Sequence, residues 1–149
     1  MTPPARAVAV VAAVAVVVGG CHHTSRTRVD RPVTVVTASE AAGAGIVVVA
    51  AGRSAPVPAG VRAPLAPLVA ARVLDHPEAP ASYGLDHPQA RLTYMVDSKQ
   101  TAVVLVGASD FDHHFLYVDR EGDRRVFLVP AVVLRPVLAL VGVTVPEPS

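Results

Sequence analysis

The densest group of side chains able to do chemistry is Asp110-Phe111-Asp112-His113-His114. In an extended strand Asp110, Asp112 and His114 share one face at steps of about 6.6 Å, twice the rise per residue. That spacing offers an Asp-x-Asp-x-His set of oxygen and nitrogen donors suited to zinc or calcium. In a loop between strands, the same residues cap turns instead. Asp-His pairs recur at Leu74-Asp75-His76-Pro77 and Leu85-Asp86-His87-Pro88, eleven residues apart. They read either as two arms of a metal site or as two turns, each proline biasing its histidine toward extended backbone. Serine catalysis has less support. Gly107-Ala108-Ser109-Asp110 lacks the closing glycine of a nucleophile elbow, and nothing else in the sequence sets a serine beside a histidine. Gly43-x-Gly45 precedes a strand instead of opening a helix and has no third glycine, so it does not build a dinucleotide loop. The sequence calls for no cofactor.

Cys21 is the only cysteine, and it follows an apolar run, Ala7 to Val18, preceded by a single positive charge at Arg6. This is the layout of a secretory signal. The run is too short for a membrane span, which needs about twenty residues. Val18-Gly19-Gly20-Cys21 resembles the bacterial lipobox, in which a cysteine behind small residues is lipidated on its thiol and becomes the new amino terminus. Val18 stands where leucine is usual. On this reading residues 1–20 are removed, and the acyl chains on Cys21 hold the protein at the outer face of the cell membrane. Lipidation consumes the thiol, so His22 and His23 beside it make a poor metal site. Residues 21–32 are the expected tether and residues 143–149 the expected tail.

Without residues 1–20 the chain keeps twelve basic and twelve acidic side chains. A neutral balance does not build the single-signed field that nucleic-acid binding requires. Residues 33–142 are of a size for one domain with one modest core.

The elements that must position these residues follow from periodicity. Val33 to Thr37 and Ile46 to Ala50 are β-branched runs, read as a hairpin across a short loop. Residues 52–64 carry enough glycine and proline to be a loop. Leu65, Leu68, Val69 and Val73 sit at helical spacing, predicting an amphipathic helix that ends near Asp75. From Arg91 the period is two: Leu92, Tyr94 and Val96 face one way and Arg91, Thr93 and Met95 the other. Ser98-Lys99-Gln100 then turns the chain into an apolar strand, Thr101 to Val106, expected to lie centrally. Residues 115–119 and 125–129 form a second hairpin about Arg120-Glu121-Gly122-Asp123. Pro130 to Leu140 reads as a short or kinked helix on the sheet. The expected fold class is α+β: a small, mainly antiparallel sheet of two or three hairpins with one amphipathic helix and a short C-terminal helix.

Tyr83-Gly84-Leu85-Asp86-His87-Pro88, then Ala90-Arg91-Leu92-Thr93-Tyr94, Leu105-Val106-Gly107, Leu116-Tyr117-Val118 and Val126-Phe127-Leu128-Val129, resembles one unit of the bacterial domain of unknown function 4340. The Tyr-Gly-Leu-Asp-x-Pro turn is the specific part. The resemblance implies an exported or membrane-anchored chain, some relatives being similar to components of transporter systems, and it carries no catalytic residue across. This chain has one unit where the family often has more, and Gly52-Arg53 stands where a tryptophan is common. Physically, Gly84 supplies positive φ, Leu85 plugs the core, Asp86 caps amides and Pro88 fixes the approach to the next strand. Two functions are expected: a lipid-anchored, non-catalytic module binding an envelope or transporter protein, or a metal-dependent or hydrolytic enzyme using Asp110, Asp112, His114 and His87.

Overall fold

The computed structural model describes residues 28, 29 and 31–149. Its main sheet has eight strands in the order β1-β6-β10-β9-β8-β7-β3-β4, every pair antiparallel. The strands are β1 (Arg28–Val29), β3 (Gly45–Ala50), β4 (Arg53–Pro56), β6 (Arg72–Leu74), β7 (Ala90–Val96), β8 (Lys99–Ser109), β9 (Phe115–Arg120) and β10 (Val126–Pro130). Two further strands, β2 (Val33–Val36) and β5 (Leu68–Ala70), pair with each other in a small second sheet. Three short helices complete the α+β fold: α1 (Ala38–Ala41), α2 (Ala59–Arg62) and α3 (Ala131–Ala139). The sheet is therefore larger than two or three hairpins.

The central hairpins lie where the period-two pattern puts them. Leu92 and Tyr94 are buried while Arg91 is exposed, and β8 lies between β7 and β9 with Ala102, Val103, Val104 and Val106 buried. The β7–β8 turn is made by Asp97 and Ser98, both in the left-handed region at φ 49° and 62°. Positive φ at both central residues matches the right-handed twist of the strands, here without the usual glycine. α3 follows Pro130 and carries Pro136 inside it; Leu134, Val137 and Leu138 pack into the main core.

Three expectations fail. β2 and β3 are not a hairpin, because Thr37 opens α1: its hydroxyl accepts from the Glu40 amide while the Glu40 carboxylate accepts from the Thr37 amide. This capping box turns the chain away. Arg120 then clamps α1 in place by donating to the Val35 carbonyl and pairing with the Glu40 carboxylate. The supposed loop 52–64 holds β4, an edge strand where Pro56 costs no ladder bond, and α2. The amphipathic helix ending at Asp75 is absent: residues 68–70 and 72–74 are strands, Leu68 and Ala70 buried and Val69 exposed between them. Spacings of three and four fitted a helix, but the short β-branched run also fits period two, and pairing to β2 and β10 selects the strand.

The two faces of the sheet carry different cores. Ile46, Val48, Leu92, Tyr94, Val104, Val106, Leu116, Val118, Phe127 and Val129 meet α3 and the β2–β5 sheet in the larger one. The Tyr94 hydroxyl, buried there, donates to the Leu65 carbonyl at 2.8 Å, and burial raises its pKa. The opposite face has a small cluster of Tyr83, Leu85 and Val126, joined by Leu74, Leu105 and Tyr117. At the ends, β1 draws Arg28 and Val29 out of the expected tether, and Val145 of the expected tail is buried in the main core. Among the described residues no helix is long and apolar enough to cross a membrane. Cys21, the expected signal segment and most of the expected tether lie outside the described residues.

Candidate functional site

Pro80 to Pro88 forms a brace across the end of β8. A 3-10 turn at Pro80–Tyr83 stops at Gly84, whose φ of 67° is left-handed. A Cβ on Gly84 would stand 2.9 Å from the Ala108 amide nitrogen, and one on Gly107 would collide with the Tyr83 carbonyl oxygen. Both glycines are thus set by the contact of turn and strand. Leu85 is buried, as expected of a plug. Tyr83 stacks obliquely on Tyr117, centroids 4.9 Å apart, and its hydroxyl accepts from the Glu78 amide at 2.9 Å. Asp86 accepts from the His87 amide, and the His87 imidazole beside it holds its carboxyl below the usual range. Pro88 stands two residues before β7 begins at Ala90.

The Asp110–His114 segment is a tight turn. The Asp110 amide donates to the Phe115 carbonyl, its carbonyl accepts from the His113 amide, and its carboxylate accepts from the Phe115 amide at 3.0 Å. His113 has φ 59°, Phe111 is 95% exposed, and Asp112 and His114 are exposed. The extended ligand row is therefore not built, because Asp110 is spent on closing the turn that reverses the chain. Among the described residues no group of three or more histidine, aspartate, glutamate or cysteine side chains converges as a metal site. The echoed segments bring their leucines together, Leu74 and Leu85 meeting in the small cluster, while His76 and His87 stay exposed.

One pair escaped the sequence reading. The Ser109 hydroxyl lies 2.8 Å from His113 Nδ1, a serine beside a histidine after all. The contact spans four residues within the turn, so it closes the same loop that Asp110 closes. Nucleophilic catalysis needs more than the pair: a group orienting the histidine and donors awaiting an oxyanion. No such group meets His113 among the described residues.

The brace also walls a cleft of about 360 Å³, lined by Pro77, Glu78, Pro80 and Leu85 on one side and Asp119, Asp123, Arg124, Arg125 and Val126 on the other. Asp123 and Arg125 neutralise each other through two side-chain bonds of 2.8 and 3.0 Å. The Arg125 guanidinium holds Asp123 down at about 2, and it also lies 5.2 Å over the Phe127 ring. Asp119 differs. It sits opposite Val126 on one strand and Leu105 on the other, and burial together with the charges of Asp123 and Glu121 pushes its carboxyl up.

Residues 62–139, slightly more than half of the chain, match the family described as Domain of unknown function (DUF4340). The chain belongs to the DUF4340 family. No curated protein and no solved structure matches it. The DUF4340 region holds the brace, both walls of the cleft and the β7–β10 meander, and it leaves β1 to β4 outside. Sequence reasoning found Gly84 and Leu85, but it ended the strand at Val106, short of Gly107, and passed over Asp119. Asp119 falls on the side of Tyr117 by its period, but that its cross-strand partners are the apolar Val126 and Leu105 shows only in the register.

Proposed function

We propose that this DUF4340 protein is a lipid-anchored, extracytoplasmic, non-catalytic binding or assembly module, accessory to a membrane transporter complex. One observation carries the reading: where the sequence concentrates reactive side chains, those side chains close their own turns. Asp86 and Asp110 bond local amides, Ser109 and His113 bond each other, and the Tyr83 hydroxyl is taken by the Glu78 amide. What remains open is surface. β4 is an edge strand, Val132 is 69% exposed at the start of α3, and the cleft beside the brace is open to a partner. Edges and apolar patches of this kind are surfaces that proteins use for one another. Attachment through Cys21 would confine the module and its partner to one membrane, where a modest affinity suffices.

The test is the native size of the full-length protein after gentle detergent extraction from the cells that make it. The proposal expects it in a complex with a second envelope protein in fixed ratio. A uniform monomer, stable to chelator and with no companion, would count against it.

A further inference from the structure

We propose that the cleft between the Pro77–Leu85 segment and the β9–β10 hairpin receives a basic side chain, arginine or lysine, of a partner protein, with the Asp119 carboxylate as its counter-charge. This rests on the binding-module reading and names the chemistry of the contact.

The argument begins with placement. Strand alternation puts Asp119 on the face of Tyr117, directly opposite Val126 and Leu105, so a carboxylate occupies the margin of an apolar cluster. Among the described residues no hydrogen bond or ion pair reaches it. A half-buried carboxylate without a partner is costly, because burial removes water without supplying a substitute. Arg124 and Arg125 both line the cleft, and neither is among the groups that shift Asp119. Arg125 is committed to Asp123, and the charges that act on Asp119 are Asp123 and Glu121, which raise its affinity for a proton. A carboxylate flanked by the negative charges of Asp123 and Glu121 attracts a cation able to donate hydrogen bonds to it.

The rest of the cleft fits such a cation with a stem. Pro77, Pro80, Leu85 and Val126 supply apolar wall for methylene groups, while the carboxylate stands where the charged head would arrive. The volume of about 360 Å³ admits one long side chain together with some of its backbone. Two of the walls, Pro80 and Leu85, belong to the braced segment that Gly84 and Gly107 hold against β8, so the site is rigid before anything binds.

The experiment titrates the full-length protein in detergent micelles with N-propylguanidinium and n-butylammonium, using N-propylurea as the uncharged control and amide chemical shifts as the readout. The expected result is saturable shifts at Leu85, Asp119 and Val126 with both cations and none with the urea. In Asp119→Asn the affinity should fall at least tenfold. The wild type gives a second measure, because its affinity should fall as acid protonates Asp119. Equal shifts from the urea, no shifts at these residues, or an unchanged affinity in Asp119→Asn would overturn the site. In membranes, a photoreactive group at Ser82, exposed in the same 3-10 turn as the wall residue Pro80, should join to a partner peptide carrying arginine or lysine. Partner crosslinks from α3 with Ser82 silent would overturn the cleft alone, and none from any position would overturn the binding module itself.

Discussion

Gly84→Ala measures how closely the brace is held to the sheet. Two costs add at this position. An L-residue at φ 67° carries about 1 kcal/mol of backbone strain. The new methyl would also stand 2.9 Å from the Ala108 nitrogen and 3.1 Å from the Ala108 Cβ, atoms of a central strand that cannot swing aside. Overpacking of this kind costs about 1–3 kcal/mol, for a total of roughly 2–4 kcal/mol. Gly43 supplies the control: its φ is 68°, and a Cβ there meets nothing within 4 Å. Gly43→Ala should therefore cost only the strain, about 1 kcal/mol. The assay is urea unfolding followed by circular dichroism, since the chain has no tryptophan. The difference between the two variants is the cost of the contact. Equal losses would show that the turn does not press on β8, and the account of the brace would fail.

Further outcomes follow from the same geometry. Tyr83→Phe leaves the Glu78 amide without its acceptor and should destabilise by about 1 kcal/mol, measured in the same way. Asp119 has a raised pKa in the folded state, so its ionisation opposes folding as pH rises through that range; Asp119→Asn should melt higher than wild type at pH 7, with the gap closing in acid. Asp123 has a depressed pKa of about 2, so its contribution is full above about pH 4 and lost as pH falls toward 2; Asp123→Asn should flatten that limb of the stability profile. Cys21→Ala should move the protein from the membrane fraction to the soluble exported one, or leave it uncleaved, as read by fractionation and acyl labelling.

The parts of the fold legible in the sequence are those where local signals and pairing agree. The β7–β8 and β9–β10 hairpins alternate cleanly over long strands, and α3 has length enough to declare itself. Residues 65–75 did not, because Leu68, Val69 and Val73 satisfy a helix and a strand alike, and only partners distant in the chain choose between them. β2 and β3 were misjoined for want of weight on Thr37 and Glu40, whose capping box was present as Thr-x-x-Glu. Of the site, Gly84 and Leu85 were readable from turn chemistry. Gly107 was not, since its need arises from the Tyr83 carbonyl arriving across space. Nor was Asp119, an ordinary strand-end aspartate until its cross-strand neighbours are known.

The central claim is that the protein works by holding another envelope protein. Its most direct measurement is site-specific photo-crosslinking in intact membranes, with the reactive group placed in turn at Ser82, Ser54 and Val132, on the brace, the edge strand β4 and α3. The account predicts one crosslinked protein, recovered from a contiguous subset of these positions and lost when Cys21→Ala releases the chain from the membrane. Only uncrosslinked monomer at every position, while the same chemistry traps a known neighbouring pair, would contradict it.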